Sequence, residues 1–209
     1  MRTRLAQEAA RIMIEDGITD FAGAKRKAAE HLGVAHTRNL PRNQEVEEAR
    51  RDYQELFLGE QIGQQQQRLQ AAAIQAMEFL AEFDPRLTGQ LLEGCATPHA
   101  AVELHLFADT PETIGLFLHR HNIPYDQHPA RIRYDRDTVR EMPLYTFMAG
   151  DVAIELIVFP PADRRRSVLS PIDGRPMRRA GLAEVEALST EPYPIVEKNE
   201  PRMDTNGHE

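Results

Sequence analysis

The hydrophobic period of this 209-residue chain changes at Asp84-Pro85. Before that point apolar residues recur every three or four positions, as on one face of a helix. After it they gather in short runs rich in β-branched and aromatic residues, as in strands. A helical section followed by strands and helices in mixed order predicts an α+β fold: an N-terminal helical region, then a small mixed β-sheet with flanking helices.

Residues 1–83 read as four helices. Leu5, Ala9, Ile12 and Met13 share one helical face, and Asp16-Gly17 reads as its stop. A second helix starts after Thr19 or Asp20, both N-cap residues, and ends at Gly33. The basic run Lys25-Arg26-Lys27 falls inside it and reads as a solvated face. Asn43 is the expected cap of a third helix over residues 43–62, with Val46, Ala49, Tyr53, Leu56 and Phe57 on one stripe. The fourth runs to Asp84, with Gln64–Gln67 on its exposed face.

Beyond Pro85, Val102–Phe107 and Val152–Phe159 are the strongest strand candidates. A helix over residues 110–122 lies between them, capped by Thr110 with Pro111 at its first position. Residues 130–135 and 142–148 supply further strands, the second turning at Ala149-Gly150. The expected organisation is a helical region over 1–84, an α+β domain over 85–188 with an arginine-rich loop at 160–181, and a disordered acidic tail over 189–209.

At 41% hydrophobic residues the chain can build a packed core. The single cysteine, Cys95, excludes an internal disulfide and a cysteine-based zinc site. No apolar run approaches the ~20 residues of a membrane helix. The N-terminus lacks the apolar core and small-residue cleavage site of a signal peptide. These readings predict a cytoplasmic protein with no membrane partner. The net charge of −8 is unevenly spread. From Glu184 onward there are seven acids and two bases, while residues 160–181 hold six arginines and two aspartates. An acidic chain is a poor general nucleic-acid binder, but it can carry a local basic patch for phosphate.

The stretch from Gly89 to Leu106 is the most informative. Gly89-Gln90 and Gly94 precede an Ala96-Thr97-Pro98 turn, and Ala101 and Glu103 then alternate along a strand. In this it resembles the signature of the nucleotidyltransferase superfamily, with the polymerase-β-like fold, over Leu87–Pro161. Gly89 and Gly94 stand at the two glycine positions, Ala101 and Glu103 at the paired carboxylates, and Glu155 at the third. The resemblance implies a turn that holds a triphosphate through backbone N–H groups. It also implies carboxylates that hold two Mg²⁺ ions to activate a hydroxyl and stabilise the leaving pyrophosphate. The chain departs from the signature at Gln90, in place of serine, and at Ala101, in place of the metal-bridging carboxylate. It is therefore expected to be a degenerate member. The overall pattern also resembles that of a family of proteobacterial proteins, which implies no biochemistry.

Strand residues two apart share a face, so Ala101, Glu103, His105 and Phe107 point one way, as do Asp151, Ala153, Glu155 and Ile157. If the two strands are neighbours, Glu103, His105 and Glu155 converge. The candidate catalytic residues are Glu103 and Glu155. Gly89, Gln90, Gly94, Arg175 and Arg178 are the candidates for binding a nucleotide, and Glu103, His105 and Glu155, with Asp151 in reserve, for Mg²⁺. Each has a plainer reading: strand-edge glutamates, a hydrogen-bonded histidine, a surface loop whose arginines pair with the acidic surface. His119 and His121 lie two apart on a helix, which does not suit zinc, and with His128 read as surface residues. Cys95 reads as a small turn residue rather than a nucleophile. The expectation is a nucleotide- or partner-binding regulatory module without ordinary transferase activity. The alternative is an active Mg²⁺-dependent nucleotidyltransferase with an altered carboxylate set. A third is a protein–protein interaction role for the helical half.

Overall fold

The computed structural model describes residues 1–190 apart from 19, 36, 38, 58, 95 and 98; at 55–57, 59–62, 189 and 190 it describes the backbone alone. The roles expected of Thr19, Cys95 and Pro98, of Leu56 and Phe57 on their stripe, and of the tail from 191 lie outside the described residues.

Three helices form a unit with its own core: α1 (Arg2–Glu15), α2 (Phe21–His31) and α3 (Asn43–Phe57). Leu5, Ala9, Ile12 and Met13 of α1 pack on Ala24, Ala28 and Ala29 of α2 and on Val46 of α3. The small alanines let the helices approach closely. α1 stops at Asp16, followed by Gly17 with φ +67°. The Asp20 side chain caps α2 by accepting from the Ala22 and Gly23 N–H groups. Asn43 does not cap α3 as the sequence suggested. The helix includes it, and the Glu45 carboxylate accepts from the Arg42 N–H at 2.7 Å, the acidic half of a capping box. The Asn43 side chain instead donates to the Pro171 carbonyl and accepts from Lys25. Helix is described on both sides of residue 58, as α3 and as α4 (Gly59–Phe79), and the helix end expected after residue 62 is absent, since residues 59–62 run on into α4.

α4 packs with the sheet. Leu69, Ala73, Ala76, Met77 and Leu80 join one core with the strand residues Val102, Leu104, Leu106, Ile154, Leu156 and Val158. By core membership the chain thus divides between α3 and α4, earlier than the change of sequence period. A short 3-10 turn over Ala81–Phe83 ends at Asp84, in the left-handed region at φ 48°.

The remaining elements are β1 (Arg86–Thr88), α5 (Gly89–Leu92), β2 (Val102–Phe107), α6 (Glu112–Arg120), β3 (Asp126–Arg133), β4 (Val139–Ala149), β5 (Val152–Phe159) and α7 (Leu182–Thr190). The sheet order is β1-β2-β5-β4-β3, with β2 and β5 parallel and every other neighbour antiparallel. This is the mixed sheet of an α+β fold. Both strong strands fall where alternation placed them; β3 and β4 run longer than expected, and the short β1 and α5 carried no strand or helix signal. Pro111, not Thr110, precedes the first residue of α6, and the Thr110 hydroxyl bonds that of Thr113.

The two sheet faces differ. One, with Leu87, Leu104, Ile154 and Leu156, is buried beneath α4, α6 and α7. The other carries Glu103, His105, Glu155 and Ile157. At its far end Phe107, Phe159 and Met142 are covered by the arginine-rich loop through Val168 and Met177. The near end, around Ala101, Glu103, Ala153 and Glu155, stays partly open to solvent. No helix among the described residues is long and apolar enough to cross a membrane.

Candidate functional site

Parallel pairing of β2 with β5 sets Glu103 directly opposite Glu155. Alternation turns both carboxylates to the same partly open face, on strands about 4.8 Å apart. Burial raises both groups above the ordinary carboxylate range. Glu103 is pushed up to about 7, first by burial and then by the charge of Glu155, against a lowering hydrogen bond from the Gln90 backbone N–H. The mutual repulsion falls on whichever group ionises second, and that is the more deeply set Glu103.

The Glu103 carboxylate rests on the turn that opens α5. Gly89 has φ +74°, and a Cβ built there would stand 2.3 Å from Glu103 Oε1. Only glycine satisfies both the backbone angle and that approach. Thr88 is the register partner of Glu103 on β1 and donates its hydroxyl to the Glu103 carbonyl at 3.3 Å. Gly94, at φ +69°, closes the far side of the turn, with open space where its side chain would be.

Side chains from the helices grip the same turn. Arg50 of α3, 1% exposed, donates from Nη1 to Gln90 Oε1 at 2.7 Å, and from Nε and Nη2 to Glu47 at 2.9 and 2.6 Å. Gln54 donates to the Ala96 carbonyl at 3.3 Å, and Gln66 of α4 to the Leu91 carbonyl at 3.0 Å. The His99 ring lies against Gly17. The α1–α3 unit is therefore seated on the Gly89–Ala96 turn through polar bonds. The residues that do this were missed in the sequence. Their signal was available: Arg50 and Gln54 stand beside Val46, Ala49 and Tyr53 on the buried stripe of α3, where a polar side chain needs a partner.

His105 shares the face of Glu103 but serves another purpose. It is 1% exposed, stacks on Phe159 at 4.6 Å between centroids, and accepts from Arg179 Nε at Nδ1, 2.9 Å away. Burial, then the Arg179 charge, pushes its pKa down to about 3, so the ring is neutral with its proton on Nε2. Its Nδ1 lone pair is spent on Arg179. Arg179, absent from the sequence-based set, ties the loop together: Nη1 donates to the carbonyls of Asp163, Arg164 and Arg166, and the guanidinium lies over Phe107 and Phe159. Arg175 pairs with Asp173 at 3.7 Å and is 84% exposed; Arg178 pairs with Glu184 at 2.5 Å. Asp151 pairs with Arg68. The structure thus brings together Glu103, Glu155, Gly89 and Gln90. It engages His105, Asp151, Arg175 and Arg178 elsewhere.

Among the described residues no group of three or more His, Cys, Asp or Glu side chains could hold a metal ion. Two carboxylates offer the oxygen donors that Mg²⁺ prefers. With two carboxylates alone, and with His105 held by Arg179, the described set does not fit a two-metal centre. Compared with known protein families, curated proteins and solved structures, the chain matches none.

Proposed function

We propose that this chain is a nucleotidyltransferase-like module that does not carry out ordinary nucleotidyl transfer and acts by binding a nucleotide or a protein partner at the Gly89–Gly94 turn. One observation carries the reading. Ala101 stands at the position that the resemblance gives to the metal-bridging carboxylate, and Glu103 leans on the turn that would hold a triphosphate, taking the Gln90 N–H for itself. A carboxylate that titrates near neutral pH against its neighbour is a poor permanent metal ligand and a good sensor of what enters the turn. The direct test incubates the protein with each labelled nucleoside triphosphate and Mg²⁺, with calorimetry alongside. Nucleotide binding without pyrophosphate release supports the module. Metal-dependent transfer that disappears in Glu103→Gln establishes instead the active enzyme with an altered carboxylate set. That second reading is favoured by the in-register Glu103–Glu155 pair.

A further inference from the structure

β4 is longer than its partner on the inner side. Residues Leu144–Ala149 pair with β5, whereas Val139–Pro143 pair only with Arg133–Pro129 of β3. A two-stranded ribbon of five rungs, about 17 Å long, therefore projects beyond the body of the sheet. The arginine-rich loop is fastened to its tip. The Leu169 N–H donates to the Arg133 carbonyl at 2.7 Å, the Tyr134 hydroxyl donates to Asp163 at 2.7 Å, and Arg166 and Arg140 lie 4.2 and 5.3 Å from the Tyr134 ring centre.

The two segments, 131–141 and 163–179, together hold ten arginines against five carboxylates in a chain whose net charge is −8. Five of those arginines are exposed and take part in no ion pair among the described residues: Arg131, Arg133, Arg136, Arg140 and Arg165. Crowding like charges without local partners costs free energy that an external anion offsets. We propose that this ribbon and loop form a binding surface for the phosphate backbone of nucleic acid.

The composition of the patch selects that partner over a protein. Protein interfaces are anchored by desolvated aromatic and aliphatic side chains. Here Tyr134 is 6% exposed beneath the guanidinium groups, and the one large apolar residue exposed on the ribbon is Val139. Phosphate-backbone binding needs only positive charge and reach, and guanidinium groups match phosphate oxygens in a bidentate fork. Contacts of this kind position the ligand without reading its sequence. The acidic stretch from Glu184 onward accounts for most of the net charge and leaves the ribbon a local exception to the acidic surface.

The test is fluorescence anisotropy of the full chain with a labelled duplex DNA and a labelled single-stranded RNA, across about 50 to 200 mM salt. Alternation sets Arg131 and Arg133 on one face of the ribbon and Arg140, opposite Ile132, on the loop side. Engagement of Arg140, the hairpin's Arg136 and the loop's Arg165 predicts that log K falls against log salt with a slope of about −3 for the duplex. Arg136→Ala, Arg140→Ala and Arg165→Ala should each reduce that slope by about one, with an unchanged melting temperature, and Arg131→Ala and Arg133→Ala on the opposite face should leave it unchanged. Arg26→Ala, on the exposed face of α2, should leave it unchanged. Three results would overturn the proposal: no binding of either probe at the lowest salt, a slope indifferent to the Arg136, Arg140 and Arg165 variants, or equal competition by polyglutamate at matched charge. The last would mark the patch as a site for acidic polypeptide.

Discussion

Glu103 ties the sheet to the turn, and its charge state is the most accessible test of that arrangement. A carboxyl group raised to about 7 in the fold, from an ordinary 4.5, binds its proton more tightly folded than unfolded. Its contribution to stability is therefore complete below about pH 4.5 and is lost as pH rises through 7. At pH 5.5 the linkage amounts to about 2 kcal/mol, and by pH 8 almost none remains. His105 works in the opposite direction. A base lowered to about 3 gains stability as pH rises toward 6.5, because the unfolded imidazole sheds the proton that the folded one never holds. The two slopes overlap in the wild-type curve, so the comparison must be with Glu103→Gln, which keeps the size and the acceptor for the Gln90 N–H but cannot ionise. Urea unfolding of both proteins at several pH values from 5.5 to 8 cancels His105 and every other group not coupled to Glu103. The wild type should lose about 2 kcal/mol relative to the variant across that interval. A difference that stays flat with pH would refute the buried, mutually repelling pair, whatever the absolute stabilities.

Three further outcomes follow from the same contacts. Gly89→Ala should destabilise the fold by about 1–3 kcal/mol from its left-handed backbone alone. The double variant with Glu103→Ala should cost less than the sum of the two, since the 2.3 Å encounter is then removed; chemical denaturation of the four proteins completes the cycle. Arg50→Met should cost about 3–5 kcal/mol, because Glu47, 5% exposed, then keeps among the described residues Arg51 alone, at 3.6 Å, whereas Arg50→Met with Glu47→Leu should recover much of the loss. Nitrogen-15 spectra should show the His105 ring as the Nε2–H tautomer with no titration down to about pH 4, and Arg179→Gln should release it to titrate at higher pH.

What was legible in the sequence was what period and local chemistry determine. Val102–Phe107 and Val152–Phe159 alternate strongly enough to fix both their extent and the shared face of Glu103 and Glu155. Asp20 and Gly17 mark helix ends through interactions confined to a few neighbouring residues. What stayed hidden depends on contacts between distant parts of the chain. β1 has three residues and no period of its own; it exists because Leu87 exchanges backbone bonds with Ala180 and because Arg86–Thr88 pair with β2. Asn43 looked like a cap until Pro171, 128 residues away, offered its carbonyl. His105 looked available as a ligand because nothing nearby in sequence announces Arg179, 74 positions later, as its partner.

The same distinction bears on how the site can respond. The α1–α3 unit has a core of its own, and among the described residues its hydrogen bonds to the Gly89–Ala96 turn come from Arg50 and Gln54. A polar seat of this kind can be exchanged for another set of hydrogen bonds at little net cost, whereas α4, sharing one apolar core with the strands, cannot leave without exposing it. An occupant of the turn would therefore compete first with Arg50 for Gln90, and with Glu103 for the Gln90 N–H. Both competitors sit on one residue, one side chain bond and one backbone bond. Binding at the turn and the hold on the α1–α3 unit are for that reason coupled through Gln90.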